Sequence, residues 1–263
     1  MYMLKITSLD NKKIKDLMSL YKNKKRQEAE LIIVDGFREI DLARQAGLEI
    51  NELFYCPEIA KQSLNNFSGL DFNKVIEVNE NVFKKICYKE NPDGFLALIK
   101  KPDYNIKKLI LSKNPLVIIL ESVEKPGNLG AIIRTAYAAG VEAIIINDGK
   151  TDIYNPNVIR ASEGLIFFKP IFNLSFKDTQ KFLKDNKIKS FAAGTKGSKN
   201  YLKVDYTKAC AIVLGSEDKG LSNNWLNSSD NVIKINMKPG IDSLNVSVSG
   251  AIIVFEALRQ RSL

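Results

Sequence analysis

Three short loops combine glycine with polar side chains that could take part in chemistry. They span residues 124–130 (EKPGNLG), 215–220 (GSEDKG) and 238–245 (KPGIDSLN), and each follows a segment that we predict to be a strand. Ligands of open α/β sheets bind beyond the carboxyl ends of the strands, so the three loops together predict a binding site. The candidate polar side chains, in the loops and on the helix after the first loop, are Asn128, Arg134, Glu217, Ser243 and Asn245.

The chain has no histidine, which excludes a Ser–His–Asp triad, a histidine-ligated metal and an imidazole base. Nucleotide motifs fail as well. Residues 215–222 have the glycine spacing of a phosphate-binding P-loop, but Leu221 stands where a lysine must follow the second glycine. No G-x-G-x-x-G follows a predicted strand, so a Rossmann dinucleotide site is unsupported. The chemistry of the three loops must therefore use other groups.

The C-terminal stretch, residues 232–261, places the third loop between a predicted strand and an apolar helix. From Leu244 the helix is apolar on almost all sides, which is typical of a helix buried on both flanks. We expect one flank to pack on the chain's own sheet and the other on a partner subunit. Its first turn nevertheless carries clustered polar side chains, which either cap the helix, starting at Asp242 or Ser243, or hold a ligand. The residues alone leave both alternatives open.

The N-terminal part of the chain alternates strand and helix patterns, which predicts a small α/β unit. The predicted strands are 29–36, 51–56, 74–78 and 94–100, and the predicted helices are 10–21, 37–47, a loose helix after Pro57, and 79–87. No strand and helix pair crosses the lysine-rich stretch that follows, and we predict domains at 1–102 and 115–263 with a linker at 103–114.

The second predicted domain opens with a continuous apolar run, 115–123, as in a parallel sheet that is covered on both faces. A βαβ unit follows, because a helix over 129–140 leads into a strand over 141–148. The pattern then continues with predicted strands at 167–172, 188–195 and 209–217, and predicted helices at 157–164, 175–186 and 222–229. The expected architecture is an α/β fold with a parallel sheet flanked by helices.

The charge balance indicates a polyanionic partner. The net charge of the 263 residues is +9, and residues 1–26 hold eight basic side chains against Asp10 and Asp16. The alternative is a solvated helix face without phosphate contact. Three cysteines, odd in number and far apart, argue against a disulfide framework and a cysteine-only zinc site. With neither an apolar run of about 20 residues nor a secretory signal, we expect a cytoplasmic protein that does not enter a membrane.

Taken together, the loops resemble a known family. The segments Asn128–Thr135 (NLGAIIRT), Leu214–Leu221 (LGSEDKGL) and Ile235–Val248 (INM…SLNVSV) are similar to the three signature segments of the SpoU (TrmH) RNA ribose 2′-O-methyltransferases, which have the SPOUT fold. The order, the spacing and the closing EALRQR (Glu256–Arg261) also match, so the resemblance spans 115–263. The segment Val34–Ile40 (VDGFREI) resembles the L30e-like RNA-binding domain of related enzymes.

The resemblance implies a C-terminal trefoil knot, a homodimer whose interface completes the site, and bound S-adenosylmethionine without a metal. It implies catalytic-site roles for Asn128, Arg134, Glu217, Ser243 and Asn245, and cofactor-binding roles for Thr195, Leu214, Gly215, Ile235, Met237 and Leu244. In the family the matching arginine is proposed to help deprotonate the ribose hydroxyl. A guanidinium stays charged in proteins, so positioning a phosphate or stabilising a developing alkoxide suits Arg134 better.

Each assigned residue also has a simpler structural interpretation. Asn128 could be the N-cap of its helix, Arg134 an ordinary surface arginine, and Glu217 an exposed turn carboxylate. Ser243 and Asn245 could be caps of the final helix and have no role in binding a ligand. The chain differs from the usual family pattern at four positions, which bear on loop shape and substrate choice rather than on the reaction: Glu121, Lys125, Asn236 and Pro239.

The function that we expect is methyl transfer from S-adenosylmethionine to a ribose 2′-hydroxyl of large-subunit (23S) ribosomal RNA. The sulfonium is already activated, so proximity and in-line geometry can carry much of the barrier without histidine or metal. The N-terminal domain would recognise the RNA by shape and phosphate contact. Two alternatives are a tRNA ribose 2′-O-methyltransferase and a catalytically inactive RNA-binding dimer.

Overall fold

The computed structural model describes residues 3–149, 151–195 and 197–262. The strands are β1 (Leu4–Ile6), β2 (Leu31–Asp35), β3 (Ile50–Tyr55), β4 (Val75–Val78), β5 (Phe95–Lys100), β6 (Leu116–Glu121), β7 (Ala143–Asn147), β8 (Ile171–Asn173), β9 (Lys189–Ala193), β10 (Lys199–Asn200), β11 (Cys210–Leu214) and β12 (Asn231–Lys234). The helices are α1 (Lys12–Ser19), α2 (Asn23–Glu28), α3 (Phe37–Gln45), α4 (Glu80–Ile86), α5 (Pro126–Ala138), α6 (Pro156–Ala161), α7 (Phe176–Asp185), α8 (Asn223–Ser228) and α9 (Val246–Arg261).

The chain divides into two compact units. The first comprises Met1–Asp103 and Asp152–Phe168, and the second comprises Tyr104–Thr151 and Lys169–Leu263. The units therefore differ from the predicted domains at 1–102 and 115–263, because the segment 152–168 packs with the N-terminal part. The predicted boundaries and linker stay a prediction.

A five-stranded mixed sheet forms the centre of the first unit, in the order β1-β4-β3-β5-β2. β5 runs antiparallel to both of its neighbours, whereas β1, β3 and β4 are parallel. β2 therefore points in the same direction as β3 and β4. Apolar side chains from the strands and from α1 and α4 form the core, including Ile14, Leu17, Ile33, Phe54 and Phe83.

The segment 152–168 is held in the first unit by apolar and ionic contacts. Helix α6 lies against β2, with Val158 and Ile159 buried. The carboxylate of Asp152 pairs with the guanidinium of Arg26, and the two side chains are 9% and 3% exposed. Arg26 also donates to the carbonyl oxygens of Leu20 and Tyr21 at 3.0 and 3.1 Å. A buried ion pair needs such additional hydrogen bonds to offset the loss of hydration.

The second unit is built on a seven-stranded sheet in the order β10-β12-β9-β11-β6-β7-β8, in which every pairing is parallel. Strands β6, β7 and β11 are buried along their whole length, as their continuous apolar sequences predicted. The prediction of an α/β fold with a parallel sheet flanked by helices is confirmed, and the trefoil knot stays a prediction.

Several predicted elements end at different residues, and one is wrong. The loose helix after Pro57 is replaced by two single-turn 3₁₀ helices, Leu64–Asn66 and Phe72–Lys74. Helix α5 begins at Pro126 rather than at 129, because proline suits the first helical position. Elements that the sequence did not predict include β1, α2 and β10, which are all short. Among the described residues, no helix has the length and apolarity needed to cross a membrane.

Candidate active site

A cleft of about 1030 Å³ opens in the second unit where β9, β11 and β12 end and α9 begins. Because these strands are parallel, their carboxyl ends meet at one edge of the sheet, where α/β folds bind ligands. All six residues predicted to bind the cofactor line this cleft: Thr195, Leu214, Gly215, Ile235, Met237 and Leu244.

Close backbone packing at the carboxyl end of β11 explains why a glycine follows the strand. The N–H of Ser216 donates to the carbonyl of Gly220 at 3.2 Å, and the N–H of Gly220 donates to the carbonyl of Ser216 at 3.0 Å. A Cβ added at Gly215 would lie 2.2 Å from the carbonyl carbon of Gly220. A side chain at Gly215 would thus force open the loop that forms one wall of the cleft.

A chain of side-chain hydrogen bonds joins the three polar loops. Nδ2 of Asn245 donates to Oδ1 of Asn128 at 3.1 Å, and Nδ2 of Asn128 donates to Oε1 of Glu217. These residues are 117 and 89 positions apart in the chain, so the fold brings them together. The predicted grouping of Asn128, Glu217 and Asn245 in space is therefore present in the structure.

The environment of Glu217 favours the ionised carboxylate. Partial burial opposes ionisation, but the amide of Asn128 and the backbone N–H groups of Glu217, Glu124 and Lys125 outweigh it and lower the pKa of Glu217 below its ordinary value. An ionised carboxylate can only accept hydrogen bonds, which agrees with the donors that surround it. Glu217 thus acts as an anchor for the first and second loops.

Asn245 is the N-cap of α9. Its Oδ1 accepts from the N–H of Ser247 at 2.9 Å, while its Nδ2 faces Asn128. The expectation that Asp242 or Ser243 caps this helix is wrong, because the helix begins later, at Val246. Ser243 and Asp242 instead line the cleft. Asn245 caps the helix and also lines the cleft, so it meets both of the alternatives that the sequence left open.

The positions of Asn128 and Arg134 in the structure bear on their simpler interpretations as a helix cap and a surface arginine. Asn128 is not the N-cap of α5, because the cap is Lys125 and Asn128 lies within the first turn. Arg134 lies on the exposed side of α5, away from the buried Leu129 and Ile133. Among the described residues that form the cleft wall Arg134 is absent, so the structure does not bring it together with the cofactor-binding set.

Glu121 supports the second loop of the site, a role that sequence reasoning did not assign. It is buried at the end of β6, and its two oxygens accept from the N–H and the hydroxyl of Ser222 at 2.7 and 2.6 Å. Ser222 is the N-cap of α8 and follows the loop 215–220 directly. A carboxylate that closes an otherwise apolar strand is the signal that could have identified it. Further cleft residues to which the sequence gave no individual role include Gly194, Ser216, Asp218 and Lys219.

Comparison with protein families identifies the family of proteins to which the chain with this cleft belongs. Residues 115–255 match the SpoU rRNA Methylase family, and residues 11–97 match the MRM3-like substrate binding domain. The chain belongs to the SpoU rRNA methylase family. The family match covers the three loops and the sheet that positions them. The predicted resemblance to SpoU (TrmH) enzymes, with a substrate-binding domain before the methylase domain, is confirmed.

Relatives and solved structures agree over nearly the whole SpoU-family chain. It is 26% identical to the 23S rRNA (guanosine(2553)-2′-O)-methyltransferase RlmP of Bacillus subtilis, over 96% of this chain and 98% of the relative. A crystal structure of an RNA 2′-O ribose methyltransferase is 34% identical with a TM-score of 0.87, covering 99% of this chain and 100% of the other. An AdoMet-bound rRNA methyltransferase from Sinorhizobium meliloti is 28% identical with a TM-score of 0.89, covering 97% of both chains.

These similarities confirm the predicted enzyme class. The chain is an RNA ribose 2′-O-methyltransferase whose cofactor is S-adenosylmethionine. The cleft fits that cofactor, since its walls combine apolar side chains with closely packed backbone near Gly215. The roles of individual site residues stay predictions.

Proposed function

We propose that this SpoU-family enzyme methylates a ribose 2′-hydroxyl of large-subunit ribosomal RNA in the cytoplasm. The observation that carries the proposal is the hydrogen-bonded chain from Asn245 through Asn128 to Glu217 beside the cleft. It holds the three polar loops in one arrangement, as a positioned methyl transfer requires. The 23S target printed for the Bacillus subtilis relative supports the choice of RNA.

In this proposal the cleft holds S-adenosylmethionine, which supplies an activated methyl group when bound. Ile235 and Met237 are half-buried and Leu244 is exposed, and together they offer an apolar surface for the adenine. Gly215 lets the backbone of the second loop come close to the cofactor, because it has no Cβ. Thr195 and Leu214 complete the wall at the ends of β9 and β11. A cleft of about 1030 Å³ is large enough for a ligand of this size.

The chain's own groups would position the ribose and stabilise charge as the 2′-oxygen loses its proton and takes the methyl group. Asn128, Ser243 and Asn245 offer hydrogen-bonding groups at the ribose side of the cleft. The guanidinium of Arg134, which stays charged, would bind the adjacent phosphate and stabilise the developing alkoxide. Because Arg134 lies on the exposed side of α5, the RNA must approach the site from that side.

We also propose that two copies form a homodimer that completes the site. One side of α9 is buried in the second unit, including Ile253, Val254 and Ala257. The other side leaves Val248 and Phe255 each 47% exposed. Monomeric proteins rarely leave such apolar groups contiguous and uncovered, so a second copy is the occupant that we assign to this side.

Replacement of Arg134 tests the assigned chemistry. We expect Arg134→Ala to lower methyl incorporation into ribosomal RNA by at least about 100-fold, as when one transition-state donor is lost. Binding of S-adenosylmethionine, measured by calorimetry, should stay unchanged because Arg134 is outside the cleft wall. Lys184→Ala, which removes an exposed charge from α7, is the matched control. Full activity of Arg134→Ala would contradict the role.

The target RNA is tested in cells. We expect 2′-O-methyl mapping of total RNA, from cells with and without the gene, to show one site in large-subunit ribosomal RNA that depends on this enzyme. A dependent site in tRNA with none in ribosomal RNA would overturn the proposed target while leaving the reaction intact.

A further inference from the structure

Two tyrosine rings form a stacked pair on the first unit. The ring centroids of Tyr21 and Tyr88 are 6.0 Å apart, with an interplanar angle of 22°. The hydroxyl of Tyr21 donates to the carbonyl of Ile86 at 2.6 Å, and burial raises the pKa of this phenol well above its usual value. Tyr88 is 40% exposed, so it is the outer member of the pair. The pair thus presents one aromatic ring that is supported from behind and open to solvent.

The backbone at both rings is fixed by buried charges. The carboxylate of Asp35, at the end of β2, accepts from the N–H groups of Tyr88 and Lys89 at 2.6 and 2.9 Å. Arg26 donates to the carbonyl of Tyr21 and is itself held by Asp152. Hydrogen bonds that fix the backbone also restrict the position of the exposed ring of Tyr88. A ring that is already ordered and exposed loses little conformational entropy when it stacks on a ligand.

Exposed basic side chains adjoin the stacked pair, in the sequence after Tyr21 and at a small cavity beside Tyr88. Lys22, Lys24 and Lys25 are exposed and follow Tyr21 directly in the chain. Arg160 is exposed on α6 and lines a small cavity together with Tyr88 and Lys89. The acids nearby are already engaged, since Asp35 accepts from the backbone of Tyr88 and Lys89, and Glu39 and Asp93 pair with Lys89. Aromatic rings among cations are typical of surfaces that bind single-stranded nucleic acid, where bases stack and phosphates pair with lysine or arginine.

We propose that Tyr88 is a stacking platform for an unpaired base of the RNA substrate, with Lys22 and Arg160 contacting the flanking phosphates. This inference rests on the proposed function in RNA methylation and adds a place and a structural requirement to substrate binding. Bases inside a duplex have both faces covered by their neighbours, so the platform selects a loop, a bulge or a strand end. The first unit then recognises a nucleotide that is separate from the ribose in the cleft.

The experiment uses the whole protein and a short RNA hairpin with 2-aminopurine in its unpaired loop. We expect the unmodified enzyme to quench the 2-aminopurine fluorescence on binding and to prefer the hairpin to a blunt duplex of the same stem. Tyr88→Ala should bind the hairpin roughly 5- to 100-fold more weakly and lose this preference, since one base stack is removed. Tyr88→Phe keeps the ring and should bind like the unmodified enzyme.

Phe72→Ala is the matched control, because Phe72 is a comparably exposed ring of the same unit. It precedes β4, whereas Tyr88 is bonded at the end of β2, which runs in the same direction, so the two residues lie at opposite ends of these strands. The proposal is overturned if Tyr88→Ala binds the hairpin within about twofold of the unmodified enzyme, or if Phe72→Ala weakens binding equally. Thermal unfolding and calorimetry with S-adenosylmethionine verify that each variant is folded.

The platform and the proposed function can fail separately. Methyl incorporation into transcribed 23S ribosomal RNA reads the proposed function, whereas quenching of the hairpin loop reads stacking. An enzyme that methylates the ribosomal RNA but binds the hairpin without using Tyr88 would refute the platform alone. An enzyme whose hairpin binding depends on Tyr88 but which transfers no methyl group to that RNA would refute the proposed target alone.

Discussion

At the scale of single residues, Asn128 connects its own loop to the two other polar loops. Its carbonyl oxygen accepts from Asn245 and its amide nitrogen donates to Glu217, so it is the link between the third loop and the second. Asparagine suits this link because its side chain is both donor and acceptor. Aspartate would face the carboxylate of Glu217 with a like charge, and alanine would remove the amide that donates to Glu217.

We expect Asn128→Ala to move the acidic limb of the pH–activity profile to higher pH. In the unmodified enzyme the donors lower the pKa of Glu217, so the ionised form persists to lower pH. Loss of the amide raises that pKa toward its ordinary value, and protonation then begins at higher pH. Profiles of kcat/KM for methyl transfer measure the shift. Asn223→Ala, a change elsewhere in the cleft wall, should leave the acidic limb in place.

An unshifted acidic limb in Asn128→Ala, together with a uniform loss of activity at every pH, would show that ionisation of Glu217 does not control the reaction. The same measurement in Asn128→Asp provides a second point. Its added negative charge should raise the pKa of Glu217 further and move the limb in the same direction.

The site residues could be predicted from sequence to the extent that strand ends define them. Thr195 and Gly215 lie where predicted strands end, and parallel strands end at one edge, so both line the cleft, whereas Ile235 was assigned through the family resemblance. The partner of Glu121 could not be predicted, because Ser222 is 101 residues away and their contact exists only in the folded sheet. For Arg134 the helix periodicity correctly indicates an exposed face. The sequence of α5 does not say which ligand or partner that face contacts.

At the scale of elements, Glu121 connects the end of β6 to the start of α8 and thereby holds the loop between them. β6 and β11 are paired in register, with Leu120 opposite Leu214, so the carboxylate lies beside the loop that leaves β11. Its two oxygens accept hydrogen bonds from the N–H and the hydroxyl of Ser222. The strand-to-helix connection 215–222 is therefore held by the backbone bonds between Ser216 and Gly220 and, at Ser222, by Glu121.

We expect Glu121→Ala to weaken binding of S-adenosylmethionine by about tenfold and to destabilise the second unit by about 1–3 kcal/mol. Both effects follow from the loss of two hydrogen bonds and from leaving the N–H of Ser222 without its acceptor. Calorimetry and urea denaturation measure them. Ser222→Ala removes one of the two bonds and should give a smaller change in each. Unchanged cofactor affinity with lowered stability would show that Glu121 supports the fold and not the cleft.

Apolar runs predicted the central strands well, because β6, β7 and β11 are buried on both faces and need no partner-specific pattern. The boundaries were less predictable where side chains compete for the same backbone groups. At the start of α9 several polar residues could serve as the cap, and Asn245 does so because its Oδ1 reaches the N–H of Ser247. The choice depends on the path of the preceding loop, which the local sequence does not contain.

At the scale of the whole molecule, chain order and spatial grouping differ. The segment 152–168 lies between β7 and β8 in the sequence, which is why sequence reasoning placed it in the second domain. Its side chains Tyr154, Val158 and Ile159 are nevertheless buried within the first unit, and Asp152 pairs with the buried Arg26. An unpaired charge at Arg26 would be costly, so the ion pair commits this segment to the first unit. No pattern within 152–168 reveals that partner.

The final prediction concerns assembly. Helix α9 buries one side in its own unit and exposes Val248 and Phe255 on the other, and α5 lies next to it with Tyr137 also exposed. We expect the double variant Val248→Glu, Phe255→Glu to be monomeric in analytical ultracentrifugation at concentrations where the unmodified enzyme is dimeric, because two carboxylates would have to be buried unpaired at the interface. If the partner completes the site, methyl transfer should fall with dimer content across a concentration series.

Leu202→Glu, a comparable change at an exposed apolar residue outside α5 and α9, should leave both assembly and activity intact. A double variant that stays dimeric would refute α9 as the interface, and a fully active monomer would refute a site that needs the partner.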